Sequence, residues 1–200
     1  MARVGYALGY GKFTNVREMA AVMKQAEERG FEMAFFSETM ELMRDSVSSL
    51  TAIGLATQKL QLGTTQIVRL RGPVVMAQLL ATIDELTGGR LTVAPGACTK
   101  SHARVHALPT EVGATPSEVL KEYIESMRLL LTGEKVSYHG KFVNFDNVGL
   151  GWKPIRTQIP FYVPATATVG LKLAGEIGDG VILNAVCSPE YTANALKIIC

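Results

Sequence analysis

The side chains in this 200-residue chain that could do chemistry cluster in short loops following apolar runs. Glu38 comes directly after Glu32–Ser37, where a carboxylate either meets a cofactor or substrate or is a solvated loop group; residue type alone weighs the two evenly. Thr64, Thr65 and Gln66 end the next apolar run, and β-propensity by itself accounts for the threonines. Arg69 and Arg71 follow, able to grip a phosphate or carboxylate in bidentate fashion, although such arginines more often sit at the surface or cap helices. Cys98 reads as a small buried filler. His102 and His106 lie one helical turn apart, which places both on one face; no third metal ligand is evident, a surface pair is the commoner arrangement, and a substitute proton carrier at His102 is the remaining alternative. Thr166-Ala167-Thr168 precedes a helix, where backbone N–H groups and hydroxyls hold phosphate, or where a threonine merely caps the helix.

Alternating strands and helices must position these groups. Strands are predicted over Arg3–Leu8, Glu32–Ser37, Leu60–Ile67, Arg90–Ala94, Pro160–Pro164 and Gly180–Ala185. Helices are predicted over Asn15–Arg29, Ser46–Thr57, Pro73 to the Gly88-Gly89 stop, Pro116 to Gly133, Val169–Gly178 and Pro189–Ile199. Val136–Phe145 alternates around His139-Gly140 and reads as an inserted β-hairpin, near 135–150. Such alternation predicts a parallel sheet covered by helices, either doubly wound or a barrel. About six βα units are counted where a closed (β/α)8 barrel needs eight, so the chain reads as an open sheet or a barrel whose C-terminal units are absent.

Composition narrows the classes. With 48% hydrophobic residues and 19% charged ones, the chain has matter for one substantial core, and a single domain over 1–200 is the default. Lys and Arg total 20 against 18 Asp and Glu, scattered rather than striped, which argues against nucleic-acid or membrane partners. Three cysteines without metal-type spacing, and no signal-peptide or membrane-spanning pattern, fit a cytoplasmic protein.

The order of its motifs resembles the luciferase-like monooxygenase superfamily of flavin- and coenzyme F420-dependent oxidoreductases. The matching segments are Ala26-Glu-Glu-Arg-Gly-Phe31, Leu62-Gly-Thr-Thr65 with Arg71-Gly-Pro73, and Ala77 to Arg90 with its Asp84-Glu-Leu-Thr-Gly-Gly-Arg90 end. Leu130-Leu-Thr-Gly-Glu134, Tyr138-His-Gly-Lys141, Ile159-Pro160 and Leu173-Ala-Gly-Glu-Ile-Gly-Asp-Gly180 follow in the same order. Within it, Ile177-Gly-Asp-Gly180 and Asn184 are most similar to the methylenetetrahydromethanopterin reductases.

The resemblance implies a TIM-type barrel, incomplete here, with an inserted segment, usually a homodimer, binding FMN or coenzyme F420 at the C-terminal strand ends and acting on a small organic substrate. It implies a strained bulge at Thr64, Thr65 and Gln66, often with a non-proline cis peptide, against the cofactor ring. Gly96, Ala97 and Thr99 belong to a loop that faces the cofactor, and Thr166, Ala167 and Thr168 to the phosphate loop, without the glycines usual there. Glu38 is the candidate catalytic residue, yet Thr39 replaces the histidine that often follows it, and Thr99 an acidic residue, so the family's general base is not carried over. Three functions stay open at this point: hydride transfer with FMN or coenzyme F420, FMN-dependent monooxygenation, or a non-catalytic flavin-binding or dimer-partner role, the last favoured by Ala7, Thr39 and Thr99.

Overall fold

The computed structural model describes residues 4–8, 15–110 and 113–200. The elements in chain order are β1 Gly5–Leu8, α1 Val16–Glu28, β2 Met33–Ser37, α2 Ser46–Ala56, β3 Gln61–Ile67, α3 Pro73–Leu86, β4 Leu91–Gly96 and α4 Lys100–Val105. They continue with α5 Pro116–Leu130, β5 Val136–His139, β6 Asn144–Val148, β7 Tyr162–Pro164, α6 Thr168–Ile177, β8 Gly180–Ile182 and α7 Pro189–Ile199. Arg3, in the predicted first strand, lies outside the described residues.

β1 to β4 pair side by side, all parallel, with Phe36 opposite Thr64 and Thr64 opposite Val93. A bridge between Val93 and Phe161 joins β4 to the parallel β7–β8 pair, with Val93 N–H donating to Pro160 O at 2.9 Å. The spatial order is therefore β1-β2-β3-β4-β7-β8. Strand alternation divides the side chains. Phe36, Leu62, Leu91 and Val93 face outward into the helix layer, where Met23, Ile53, Leu80 and Ile124 are fully buried against them. Phe35 and Thr65 face the other way, into a cavity that Ala7 of β1 and Ile182 of β8 also line, so the two end strands look onto one interior.

Local chemistry explains the boundaries. Asn15 and Asp45 cap α1 and α2 by accepting from Glu18 N–H and Ser48 N–H at 3.0 and 2.8 Å, and Thr115 with Glu118 forms a full capping box on α5. Gly88 and Gly89 end α3 with φ of 66° and 82°, a conformation in which a Cβ is strained. Arg90, predicted as the first strand residue, instead turns its guanidinium onto the carbonyls of Gly54, Thr57, Leu60 and Thr87, closing the C-terminal end of α2.

Some predicted bounds are corrected. The hairpin does not turn tightly at His139-Gly140; the turn runs to Val143 because the Glu122 carboxylate of α5 accepts from the N–H groups of Lys141, Phe142 and Val143 at 2.7–2.9 Å. β8 stops at Ile182 rather than Ala185. Its ladder ends where Ala165 N–H meets Ile182 O, and Asn184 Oδ1 then accepts from Ala185 N–H and turns the chain away. Among the described residues no helix is long and apolar enough to cross a membrane.

Candidate functional site

Two cavities open at the C-terminal strand ends. The larger, about 750 Å³, is lined by Phe35, Ser37, Tyr162, Thr166, Asn184 and their neighbours; the smaller, about 460 Å³, by Glu38, Thr39, Gln66, Gly96, Cys98, Thr99 and His102 among others. Thr65 of β3 and Pro164 of β7 line both, so the cavities adjoin there.

Glu38 is not a solvated loop carboxylate. Its side chain is 7% exposed, with Oε1 accepting from Ser46 Oγ at 2.6 Å and from Arg71 Nη1 at 2.9 Å, and Oε2 accepting from Ile67 N–H at 2.6 Å. Its own N–H donates to Thr65 Oγ1 at 3.0 Å. Glu38 thus ties the end of β2 to the end of β3 and to the first residue of α2.

The expected bulge at Thr64, Thr65 and Gln66 is not seen. All three keep continuous parallel register with β4, and among the described residues there is no cis peptide. The network around Glu38 satisfies the end of the strand in regular geometry, so no distortion is required. Alternation then separates the three. Thr65 faces the cavities, whereas Thr64 is fully buried on the opposite side, where its hydroxyl accepts from Gln66 Nε2 at 3.0 Å; it lines neither cavity. Gln66 is buried as well, with Nε2 also donating to Ser46 Oγ, and borders the smaller cavity.

Neither arginine is held out for a phosphate. Arg71 pairs with Glu38, and Arg69, 4% exposed, donates from Nε to Ala97 O at 2.7 Å and from Nη1 to Pro109 O at 3.2 Å, pinning the loop after β4. In that loop Gly96 and Thr99 line the smaller cavity, while Ala97 packs into the core. Cys98 is not a buried filler: it is partly exposed at φ 59° and lines the cavity. Thr99 caps α4 by accepting from His102 N–H at 3.2 Å.

His102 and His106 do share a face, their ring centroids 4.3 Å apart. His106 Nδ1 donates to His102 O at 2.9 Å and its Nε2 lies 2.9 Å from Glu41, reaching across to the β2–α2 loop. Among the described residues no group of three metal-ligating side chains converges.

Of the predicted phosphate loop, Thr166 lines the larger cavity, and its carbonyl accepts from Tyr191 Oη at 2.7 Å. Ala167, not a threonine, caps α6, without a side-chain bond, and Thr168 is the first helical residue. The first-turn N–H groups of α6 therefore have no side-chain cap.

Sequence reading missed Phe35, Ser37, Tyr162 and Ser46. The first two share strand parity on β2 and could have been found by counting alternate residues back from the strand end. Ser46 carried no such signal, because it matters only through Glu38 and Gln66.

Comparison with known proteins fits this geometry. The chain is 32% identical over 170 residues to a 5,10-methylenetetrahydromethanopterin reductase of Archaeoglobus fulgidus, an alignment covering 84% of this chain and 49% of that protein. It is 29% identical to an F420-dependent glucose-6-phosphate dehydrogenase of Nakamurella multipartita, over 97% of this chain and 59% of the relative. The solved coenzyme F420-dependent tetrahydromethanopterin reductase of Methanopyrus kandleri superposes with a TM-score of 0.88 at 28% identity, covering 98% of this chain and 59% of that one. The chain thus spans about half to three fifths of the length of these relatives, and its α/β fold is that of luciferase-like TIM barrels. Residues 1–198 match the family described as luciferase-like monooxygenase, and the chain belongs to that family.

Proposed function

We infer that the protein is an oxidoreductase that binds coenzyme F420 or FMN and carries out hydride transfer to or from a small organic substrate, its described residues acting as one barrel-type domain. The observation that carries this reading is the pair of adjoining cavities at the strand ends, one large enough for a cofactor ring and its tail, meeting a smaller one at Thr65 and Pro164. The names of the relatives described above, two methylenetetrahydromethanopterin or tetrahydromethanopterin reductases and an F420-dependent dehydrogenase, favour hydride transfer over monooxygenation.

The residues present fit such a group. Phe35, Tyr162, Val181 and Ile182 give the larger cavity apolar walls for a planar ring. At its edge, Thr166 and the uncapped first turn of α6 are placed to receive phosphate oxygens through backbone N–H groups, which needs no arginine. When bound, the cofactor supplies the two-electron chemistry. The chain orients it: Glu38 is a positioning residue, because its carboxylate is already bonded to Ser46, Ile67 and Arg71 and holds Thr65 at the wall between the cavities.

Two further features belong to this reading. A homodimer is supported by the apolar outer faces of α2 and α3, where Leu55, Val75 and Leu86 are exposed beside a groove lined by Val47, Leu79 and Ile83. A cytoplasmic setting is supported by Cys98, Cys187 and Cys200 all being free thiols.

The test is fluorescence titration of the purified protein with FMN and with coenzyme F420 separately. Saturable binding of either, weakened in Thr166→Ala or Thr168→Ala with the fold retained, supports the reading. Binding of neither sinks it, and unchanged affinity in both variants removes the phosphate assignment.

A further inference from the structure

Arg69 holds both ends of the segment that carries α4, donating from Nε to Ala97 O and from Nη1 to Pro109 O. Between those two points the backbone is left-handed at Cys98, φ 59°, and again at Ala107, φ 53°, and neither residue is glycine. Side chains in that region are strained, and such strain gathers at clamps and switches. α4 itself is six residues long and Ala103 is its one buried residue, so apolar packing holds it weakly. The chain from 98 to 108 is therefore a flap between two fixed points, and its Cys98, Thr99 and His102 line the smaller cavity.

The loop after β2 gives the same cavity Glu38 and Thr39, and His106 joins flap to loop. The His106 ring has Nδ1 2.9 Å from His102 O and Nε2 2.9 Å from Glu41 Oε1, with Glu41 likewise left-handed at φ 68°. A carbonyl and a carboxylate only accept, so both contacts are favourable only when both ring nitrogens carry a proton. A neutral imidazole has one N–H and must turn a lone pair toward one of the two oxygens. Among the described residues, the titratable groups that face the ring are Glu41 from the loop and His102, whose own ring centroid is 4.3 Å away. Lys100 and Arg104 share α4 at spacings that do not face His106, Arg44 and Asp45 share the loop with Glu41, and Arg69 is bound at the ends of the flap.

We propose that the 98–108 segment is a flap over the smaller cavity, latched to the loop after β2 by the His106–Glu41 pair when His106 is protonated and released when it is neutral. Imidazole is the side chain whose charge changes across the neutral range. On the acid side of that range the imidazolium satisfies both oxygens and the flap is closed. As pH rises, one of the two contacts loses its proton, and closure is left to Ala103 and the bonds from Arg69 at the ends. The latch needs no bound cofactor, so it stands or falls separately from the reading of the larger cavity.

Cys98 lines the cavity that the flap covers, so the rate at which uncharged N-ethylmaleimide modifies it, followed by mass spectrometry, reports opening. The full chain carries Cys187→Ser and Cys200→Ser, which removes the other two free thiols. Each rate is divided by that of Glu41→Ala at the same pH, which cancels ionisation of the thiol; Glu41 is 72% exposed, so its replacement spares the core. We expect the parent to react about fivefold more slowly than Glu41→Ala at about pH 5.5 and equally fast at about pH 8. In Glu41→Gln the amide accepts from a charged imidazole or donates to a neutral one, so its rate relative to Glu41→Ala should be the same at both pH values. Hydrogen exchange of the α4 amides, referred to those of α5, should follow the same course in all three proteins. A parent ratio that does not change with pH, a parent slowed more at the higher pH, or a Glu41→Gln protein that keeps the parent's pH course would each overturn the latch.

Discussion

Arg71 and Glu38, 33 residues apart in sequence, form a 2.9 Å ion pair in which the carboxylate is almost wholly withdrawn from solvent and the guanidinium partly so. Glu38 borders the smaller cavity, and the two members of the pair are not equivalent. Removing the cation strands a buried negative charge, whereas neutralising the carboxylate leaves a guanidinium with solvent access. We expect Arg71→Met to cost about 3 kcal/mol and Glu38→Gln about 1–2 kcal/mol. Urea unfolding followed by circular dichroism checks the order; a Glu38→Gln variant less stable than Arg71→Met contradicts it.

Asp84 makes a comparable join at the opposite end of the strands. It is 1% exposed, accepts from Arg156 Nε at 2.8 Å and Nη2 at 2.5 Å, and also accepts from Leu91 N–H at 3.2 Å. Arg156→Met leaves that carboxylate unpaired in the interior and should destabilise by about 3–5 kcal/mol. Because this site is remote from the cavities, cofactor affinity of the folded fraction should not change; a stability loss under about 1 kcal/mol would mean that the pair behaves as a surface bridge.

Gly63 sits beneath the ring of Phe35, which an added Cβ would strike. Phe35 lines the larger cavity, so relief comes from the ring swinging into that space. We expect Gly63→Ala to weaken binding of the cofactor at least about tenfold, a loss near 1.4 kcal/mol. The double variant Gly63→Ala with Phe35→Leu should recover part of it. Fluorescence titration of the three proteins measures both effects, and unaltered affinity in Gly63→Ala would place the ring elsewhere.

Glu27 gives the fold an acid-sensitive joint. Partial burial acts to raise its pKa, but the N–H groups of Lys59, Leu60 and Gln58 bond to the carboxylate, and with the charge of Arg90 they hold it below the ordinary 4.5. A carboxyl with a folded-state pKa lower than its unfolded one contributes stability that is complete above the unfolded value and is lost as pH falls through the folded one. Glu27→Gln should therefore be less stable than the parent at neutral pH, with the difference shrinking as pH drops below 4.5. Thermal unfolding at a series of pH values tests this; a difference that grows on acidification has the wrong sign.

What the sequence by itself determined is local. The apolar runs, the capping residues Asn15, Asp45 and Thr115, and the Gly88-Gly89 stop specify strands and helices through propensity, periodicity and backbone freedom, all of which act within a few residues. From those elements and their order the parallel architecture and the family were legible, as was the confinement of candidate groups to loops after strands. Pairing across the fold was not. Whether Glu38 is solvated, whether Arg71 meets a ligand or a neighbour, and which of Thr64 and Thr65 faces the interior depend on register between strands whose partners lie some 30 residues away. The bulge expected at Thr64 to Gln66 failed for that reason, since bonds from Ser46, Arg71 and Ile67 converge on one carboxylate only after β2, β3 and α2 have packed. The shared face of His102 and His106 was legible from their spacing, whereas the reach of His106 to Glu41 and the place of His102 beside Thr39 and Thr65 in one cavity lining were not. Side-chain type can propose a functional group; only the packing of distant strands decides what it faces.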